Sequence, residues 1–200
     1  MGKIFTVVME HLQIAASGVV IAIFVGVAIG IILTKYRAIA GFVMSVTDII
    51  QTIPTLALLS ILMTMFGLGD GTVITGLFLY SLLPIIRNTY VGILSVPEGL
   101  IEAGTGMGMT KMQLMLKVEL PLALPIILSG IRIAFITALG ITTIGVLIGA
   151  GGLGKFIWRG IQINDVSMIL SGAIPVSILA VGADLLLGYA EGKMVKRAQK

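Results

Sequence analysis

Residues 12–33 read LQIAASGVVIAIFVGVAIGIIL, an apolar run that contains no charged side chain. Its length is close to the ~20 residues that a helix needs to cross the hydrocarbon core of a bilayer. Further apolar stretches of similar length follow at residues 38–66, 73–94, 122–148 and 166–190. The sequence therefore predicts an all-α, polytopic membrane protein with about five transmembrane helices in one domain, residues 1–200.

The composition supports this class and excludes others. The chain is 58% hydrophobic and 11% charged, with a mean hydropathy of +1.14, whereas a soluble domain carries about 25% charged residues. The net charge of +4 does not indicate nucleic-acid binding, because the basic residues are not gathered on one face. There is no Cys for disulfides or thiolate metal sites. The first run has full spanning length, so we expect neither a cleaved signal nor an additional soluble domain. Many of the 26 glycines lie inside the spans, where small residues allow helices to pack closely.

The basic residues outside the spans predict the orientation of the chain. Few of them lie on one side of the predicted bundle, namely Lys3, Lys155 and Arg159. The other side carries Lys35, Arg37, Lys111, Lys117, Lys193, Lys196, Arg197 and Lys200. The positive-inside rule places the richer side in the cytoplasm. We therefore expect the N-terminus outside, the C-terminus inside and an odd number of spans.

The longest polar stretch, residues 95–121, then lies on the cytoplasmic side and is expected to form a helical hairpin. Ser95 and Glu98 have the spacing of a capping box, as do Thr110 and Gln113. Gly108 lies between the two predicted helices, where the chain must turn sharply. Exposed methionines nearby would provide an adaptable apolar surface for a partner; they are Met107, Met109, Met112 and Met115.

This stretch resembles the "EAA loop" of binding-protein-dependent ABC importer permeases. The family pattern is Glu-Ala-Ala, three residues, Gly, nine residues, Ile-x-Leu-Pro. Here the spacing is the same, with Gly104 in place of the second Ala and Val118 in place of the Ile. In that family the loop is the coupling helix that docks in a cleft of the cytoplasmic ATPase. The resemblance implies that the docking residues are Glu102, Ala103, Gly104, Gly108, Met109, Thr110, Leu120 and Pro121.

Three further segments resemble the osmoprotectant permeases, which import glycine betaine, carnitine and choline. They are QTIPTLA at residues 51–57, LYSLLPIIRNT at 79–89 and GAGGLG at 149–154. The resemblance implies a multi-pass protein of the bacterial cytoplasmic membrane. It also implies three kinds of partner: a cytoplasmic ABC ATPase dimer, a second permease subunit and a separate extracytoplasmic binding protein. ATP and Mg would be bound by the ATPase, so no cofactor and no enzymatic activity are expected of this chain itself.

Two local motifs are assigned structural roles. GAGGLGK, residues 149–155, satisfies most of a P-loop, but Phe156 stands where the Mg-binding hydroxyl is required, and the motif follows a spanning helix instead of a strand. We expect a flexible external turn leading to an interfacial segment, with Trp158 near the lipid headgroups. His11, near the outer surface, is expected to be solvated.

Charged residues and prolines inside the spans are the remaining candidates. Unpaired charges in a membrane are costly, so two acids and two bases are expected either to pair between helices or to line the transport route; they are Asp48, Arg87, Arg132 and Asp184. Pro54 and Pro84 interrupt spans two and three and could bend them. The residues expected at a gate are Pro54, Leu56, Leu59 and Pro84, although plain packing would explain both prolines equally well.

Three alternatives remain open from the residues alone. The chain could be an ABC permease for another small amino acid or amine. It could instead be a secondary transporter or channel, although the sequence shows no inverted repeat. An intramembrane enzyme would need a nucleophile and a base within the spans, but there is no Cys and the single His is outside them. Transport that depends on a co-expressed ATPase would favour an ABC importer permease over the secondary transporter and the enzyme.

Overall fold

The structure, a computed structural model, describes residues 2–198, with side chains from 4 to 196. The side chains of Lys3 and Arg197, and all of Lys200, lie outside that part. Every regular element in the described range is helical. The elements are α1 (Gly2–Lys35), α2 (Arg37–Thr52), α3 (Thr55–Phe66), α4 (Asp70–Leu94), α5 (Glu98–Gly106), α6 (Lys111–Leu114), a π-helical turn (Met115–Glu119), α7 (Leu120–Ile144), a 3-10 turn (Gly145–Ile148), α8 (Gly154–Gln162) and α9 (Val166–Ala198).

Span two, predicted at residues 38–66 with an interruption at Pro54, is a bent pair of helices in the structure. Continuous helical segments long and apolar enough to span a bilayer cover Ile4–Lys35, Asp70–Leu94, Lys111–Ile148 and Val166–Lys196, whereas α2 and α3 are bent by 97° relative to each other. The break lies at Ile53 and Pro54, both in extended conformation (ψ 126° and 135°). Proline has no N–H to donate and disfavours helical geometry in the residue before it, so the helix ends there.

The bent pair nevertheless crosses the bundle from one end to the other. It starts directly after α1 ends, and it finishes near Gly69, whose N–H donates to the Ile148 carbonyl at 2.9 Å. That position is also the end where Glu10, early in α1, accepts from the Gly152 N–H at 3.0 Å. With the pair counted as one span the chain crosses five times, as predicted. We call the Glu10 end the amino-terminal end and the opposite one the hairpin end.

Close helix contacts at glycine hold α1 against α4. A Cβ added to Gly18, Gly26 or Gly30 would come within 2.6–2.8 Å of side-chain atoms of Leu77, Ile85 and Thr89 respectively. No real Cβ fits there, so the two helices approach at the distance that only glycine permits. The structure thus contains the close packing of small residues expected for the spans.

His11 is fully buried, which corrects the expectation of a solvated residue. Its Nε2–H donates to the Leu139 carbonyl at 3.1 Å, and its Nδ1 accepts from the Leu153 N–H at 3.4 Å. Since one ring nitrogen donates and the other accepts, the imidazole is neutral. His11 joins α1 to α7 and to the loop before α8.

Candidate functional site

The stretch at residues 95–121 forms a compact hairpin at the hairpin end of the bundle. Helix α5 ends in a Schellman motif, in which the Met109 N–H donates to the Gly104 carbonyl at 3.1 Å and the Gly108 N–H to the Thr105 carbonyl at 2.9 Å. Gly108 has φ +81°, which side chains other than glycine rarely adopt. Glycine at this position therefore sets the turn.

Capping of the two hairpin helices agrees with the sequence in one case and not in the other. Thr110 and Gln113 form the predicted capping box at α6. The Ser95–Glu98 box is wrong, because the Ser95 hydroxyl donates back to the Gly92 carbonyl at 2.8 Å and Pro97 precedes α5. The Ser95 hydroxyl, which was expected to cap α5, is therefore hydrogen-bonded to the last turn of α4.

The predicted docking residues are divided between the surface and the interior of the hairpin. Glu102 and Ala103 are exposed, whereas Gly104 is buried between Met109 and Leu114. Outside the turn, Thr110 is exposed as a cap, Leu120 is half-buried and Pro121 is exposed in the first turn of α7.

Two methionines form an exposed apolar surface beside Glu102. Met107 is 74% exposed and Met112 is 68% exposed, and methionine side chains adapt easily to a partner. The surface is available to a partner; its role as a docking site remains a prediction.

A continuous helical stretch, Lys111–Ile148, joins this hairpin to the membrane bundle. Where it passes α4, a Cβ on Gly130 would lie 2.6 Å from the Pro84 carbonyl oxygen and 2.7 Å from Asn88 Cβ. Asn88 Nδ2 donates to the same Pro84 carbonyl at 2.7 Å. The helix that carries the hairpin is therefore closely packed on α4 at its proline.

Two side chains that were not predicted to be functional link the break at Pro54 to Pro84 inside α4. Pro84 has no N–H for the Tyr80 carbonyl, and Gln51 Nε2 donates to that carbonyl instead, at 2.8 Å. The Tyr80 hydroxyl in turn donates to the Ile53 carbonyl, at the break before Pro54. The sequence feature that could have identified them is a polar side chain three or four residues before each proline, Gln51 before Pro54 and Tyr80 before Pro84. Gln51 and Tyr80 thus connect the bend of span two to the proline turn of α4.

Removing the Tyr80 hydroxyl tests this connection. Tyr80→Phe keeps the buried ring and leaves the Ile53 carbonyl without its donor, which we expect to lower the unfolding free energy by about 1–3 kcal/mol. Thermal unfolding of the purified protein measures the change. Tyr90→Phe is the matched control, because Tyr90 is a half-buried tyrosine of the same helix whose hydroxyl makes no hydrogen bond among the described residues. Equal midpoints for the two variants would contradict the role assigned to Tyr80.

The predicted gate residues do not share one environment. Pro54 and Leu56 are exposed on the α2–α3 bend, Leu56 by 47%, and Pro84 is half-buried in α4. Leu59 is fully buried, with its Cδ2 lying against Gly76 of α4. Helix α3 turns the Leu59 side chain into the core of the protomer. Its assignment to the transport route stays a prediction, which cysteine labelling tests.

Cysteine labelling distinguishes these positions, because the chain has no Cys of its own. We expect Leu56→Cys to react with a soluble thiol reagent, with a rate that changes when ATP is trapped. We expect Leu59→Cys to stay unreactive with or without nucleotide. Nucleotide-independent labelling at Leu56 would leave Pro54 with a packing role alone.

The four charges predicted inside the spans form two interhelical sites. Arg87 Nη2 lies 3.0 Å from both carboxylate oxygens of Asp48, which joins α4 to α2. Arg132 Nε donates to Asp184 at 2.7 Å, and its Nη1 donates to Glu191 at 3.2 Å, which joins α7 to α9. The structure therefore contains the interhelical pairing expected for these residues.

Glu191 was missed because it was placed just beyond span five. Asp184 and Glu191 are seven residues apart, a spacing that puts both on one face of a helix. Gly188 lies between them on that face, and a Cβ there would be 3.0 Å from Arg132 Nη1. Arg132 therefore lies across glycine to reach both carboxylates.

The glycine-rich loop at residues 149–154 is anchored, which corrects the expectation of a flexible turn. The Gly151 N–H donates to Asp70 at 2.7 Å, and the Gly152 N–H donates to Glu10 at 3.0 Å. Lys155 Nζ lies 3.5 Å from the same Glu10 carboxylate. The N–H groups that a P-loop would offer to phosphate are occupied by carboxylates of the chain itself.

Comparisons with known proteins agree with this architecture. The model of the family described as "Binding-protein-dependent transport system inner membrane component" matches residues 18–196. The glycine betaine/carnitine/choline transport system permease protein OpuCD of Bacillus subtilis is 52% identical over 183 residues, covering 91% of this chain and 80% of that protein. The choline transport system permease protein OpuBD of the same organism is 53% identical, covering 91% and 81%. The carnitine transport permease protein OpuCD of Listeria monocytogenes is 47% identical, covering 91% and 82%.

Solved structures show a similar fold. A chain of the MetNI methionine ABC transporter, in an inward-facing conformation, superposes with a TM-score of 0.79 at 25% identity, covering 100% of this chain and 98% of that one. The resemblance found from the docking motif is confirmed by both kinds of comparison. This chain belongs to the family of binding-protein-dependent transport system inner membrane components.

Proposed function

We propose that this chain is the membrane permease subunit of an ATP-driven importer for quaternary amines such as glycine betaine, carnitine and choline. The observation that carries the proposal is the match, over about nine-tenths of the chain, to relatives named for these substrates at 47–53% identity. Aromatic residues make up only 6% of the chain. The aromatic cage that selects such cations by cation–π attraction therefore belongs to a separate extracytoplasmic binding protein.

The orientation follows from the charges and the five crossings. Lys35, Arg37, Lys111 and Lys117 all lie at the hairpin end, and the positive-inside rule places that end in the cytoplasm. The amino-terminal end is then extracytoplasmic. The hairpin faces the compartment that contains ATP, and the exposed surface around Glu102 and Met107 is where a cytoplasmic ABC ATPase docks.

Coupling between ATP hydrolysis and transport then takes a short mechanical route. Two permease subunits enclose the path, and each hairpin moves with the ATPase beneath it. The helix is continuous from Lys111 to Ile148, so we expect α7 to move with the hairpin. Gly130 transmits that movement to Pro84, and Gln51 and Tyr80 connect the proline turn to the bend at Pro54. We expect ATP and Mg to be bound by the partner ATPase. In this chain the N–H groups of Gly151 and Gly152, in the P-loop-like segment, donate to Asp70 and Glu10.

Uptake assays test the substrate class. The chain would be expressed with its ATPase and binding protein in a strain that lacks its own osmoprotectant importers. We expect ATPase-dependent uptake of at least one of radiolabelled glycine betaine, carnitine and choline, and no uptake when the ATPase carries an inactivating substitution in its P-loop. The structural similarity to a methionine transporter makes methionine the comparison substrate. Uptake of methionine without any of the three amines would replace the proposed class by an ordinary amino acid.

A further inference from the structure

Helix α8 presents a polar stripe on the surface at the amino-terminal end. Lys155, Trp158, Arg159 and Gln162 are spaced i, i+3, i+4 and i+7, which places them on one helix face. All four are exposed, Trp158 by 40%. We call these residues the α8 stripe. An exposed tryptophan beside an arginine is the composition found at energetic centres of protein interfaces.

The opposite face of α8 is fixed against the neighbouring helices. A Cβ on Gly154 would lie 2.2 Å from the Thr143 carbonyl oxygen, and one on Gly160 would lie 2.7 Å from the Ile169 backbone nitrogen. From α9, a Cβ on Gly172 would lie 2.7 Å from Ile157 Cγ1 and 2.9 Å from the Leu153 carbonyl oxygen. The backbone of the stripe is therefore held on a rigid support and loses little freedom on binding.

The acidic groups near the stripe are already used inside the chain. Glu10 accepts from the Gly152 N–H and lies near Lys155, and Asp70 accepts from the Gly151 N–H. Asp165 accepts from the Met168 N–H at the start of α9. Arg159 forms no ion pair or hydrogen bond among the described residues. The stripe thus offers an unneutralised guanidinium, which a carboxylate of a partner would complement.

A lipid surface fits this geometry less well than a protein does. A helix that lies in the membrane interface inserts its apolar face into the bilayer. The buried face of α8 packs against α7 and α9, and on the exposed side Trp158 lies beside Arg159, with Ile161 one turn further along. Inserting Trp158 into lipid would carry Arg159 with it.

We propose that the α8 stripe is a docking surface for the extracytoplasmic substrate-binding protein, with Arg159 paired to a carboxylate and Trp158 seated in an apolar recess of that partner. This inference rests on the proposed function and its orientation. It adds the surface through which the two proteins recognise each other. Docking here would act directly on the loop at residues 149–154, and through His11 and Glu10 on α1.

The test is ATPase activity of the complete transporter in liposomes, titrated with the ligand-loaded binding protein. We expect Arg159→Glu and Trp158→Ala each to raise the half-saturating concentration of binding protein about tenfold or more. Leu68→Ala is the control, because Leu68 is 72% exposed at the same end of the bundle but lies outside α8; its half-saturating concentration stays at the wild-type value. The amount of ATPase that co-purifies with each variant reports assembly separately.

The outcomes separate this inference from the proposed function. If the wild-type transporter is not stimulated by any binding protein loaded with a quaternary amine, the proposed function fails and this inference with it. If the wild type is stimulated and both stripe variants titrate like the wild type, the inference alone is overturned. A change in ATPase activity that follows the anionic-lipid content of the liposomes and is independent of the binding protein would assign the stripe to the membrane surface and overturn the inference.

Site-specific crosslinking is a second test, because the chain has no Cys of its own. We expect Arg159→Cys to crosslink to the binding protein. Crosslinks to a second permease instead would overturn the inference.

Discussion

Gly108→Pro is expected to reduce ATP-driven uptake at least about tenfold while the protein remains in the membrane. Gly108 has φ +81° and donates its N–H to the Thr105 carbonyl at 2.9 Å. Proline holds φ near −65° and has no N–H, and the left-handed conformation already costs an ordinary L-residue roughly 1–2 kcal/mol. The turn between α5 and α6 would open, and Glu102 would lose its position relative to Met112. Uptake and transport-coupled ATPase activity, both normalised to the amount of protein in the membrane, measure the effect.

Two further variants make this result specific to docking. Glu102→Arg reverses an exposed charge without altering the turn, and we expect it to uncouple ATP hydrolysis from uptake in the same direction. Gly99→Ala is the control, because Gly99 lies on the same helix with nothing within 4 Å of an added Cβ. Full uptake and full ATPase stimulation in either Gly108→Pro or Glu102→Arg would show that residues 95–121 are not the docking site.

Arg132→Ala is expected to lower the amount of folded protein in the membrane several-fold. Arg132 is shared by Asp184 and Glu191, so its removal leaves two carboxylates on one face of α9 without a cation. Unpaired charges within a spanning helix are strongly unfavourable. Helix α9 would separate from α7, and proteolysis would remove the unfolded chain. Quantitative immunoblotting of membranes and thermal unfolding of the remaining protein measure the loss.

Neutralising Asp184 and Glu191 as well distinguishes the effect of unpaired charge from the effect of lost packing by the Arg132 side chain. In the variant Arg132→Ala with Asp184→Asn and Glu191→Gln, no unpaired charge remains, and we expect most of the protein to be recovered. Arg87→Ala leaves the single carboxylate of Asp48 and is expected to have a smaller effect. If the triple variant were as depleted as Arg132→Ala, the loss would come from packing of the arginine chain on Gly188 and not from unpaired charge.

The sequence predicted the spans and the hairpin because both depend on local features. A run of apolar residues such as 12–33 has only lipid as a favourable solvent, whatever its neighbours are. The Gly108 turn and the Thr110–Gln113 capping box are decided within a few residues, and both are present as predicted. Pairing of the intramembrane charges was also predictable, because an unpaired charge in this medium is so costly.

The tertiary structure alone decided which partners these residues use. His11 is buried because α7 and the loop before α8 bring the Leu139 carbonyl and the Leu153 N–H to it, from positions far away in the chain. Leu59 lies in the core because the 97° bend at Pro54 turns α3 toward α4. A proline in the sequence indicates that a helix can bend, but the bend angle depends on the elements that pack against the two halves of the helix. In the same way, the GAGGLG loop has the sequence of an anion site, but the carboxylates that fill it come from α1 and α4, and only the fold brings them together.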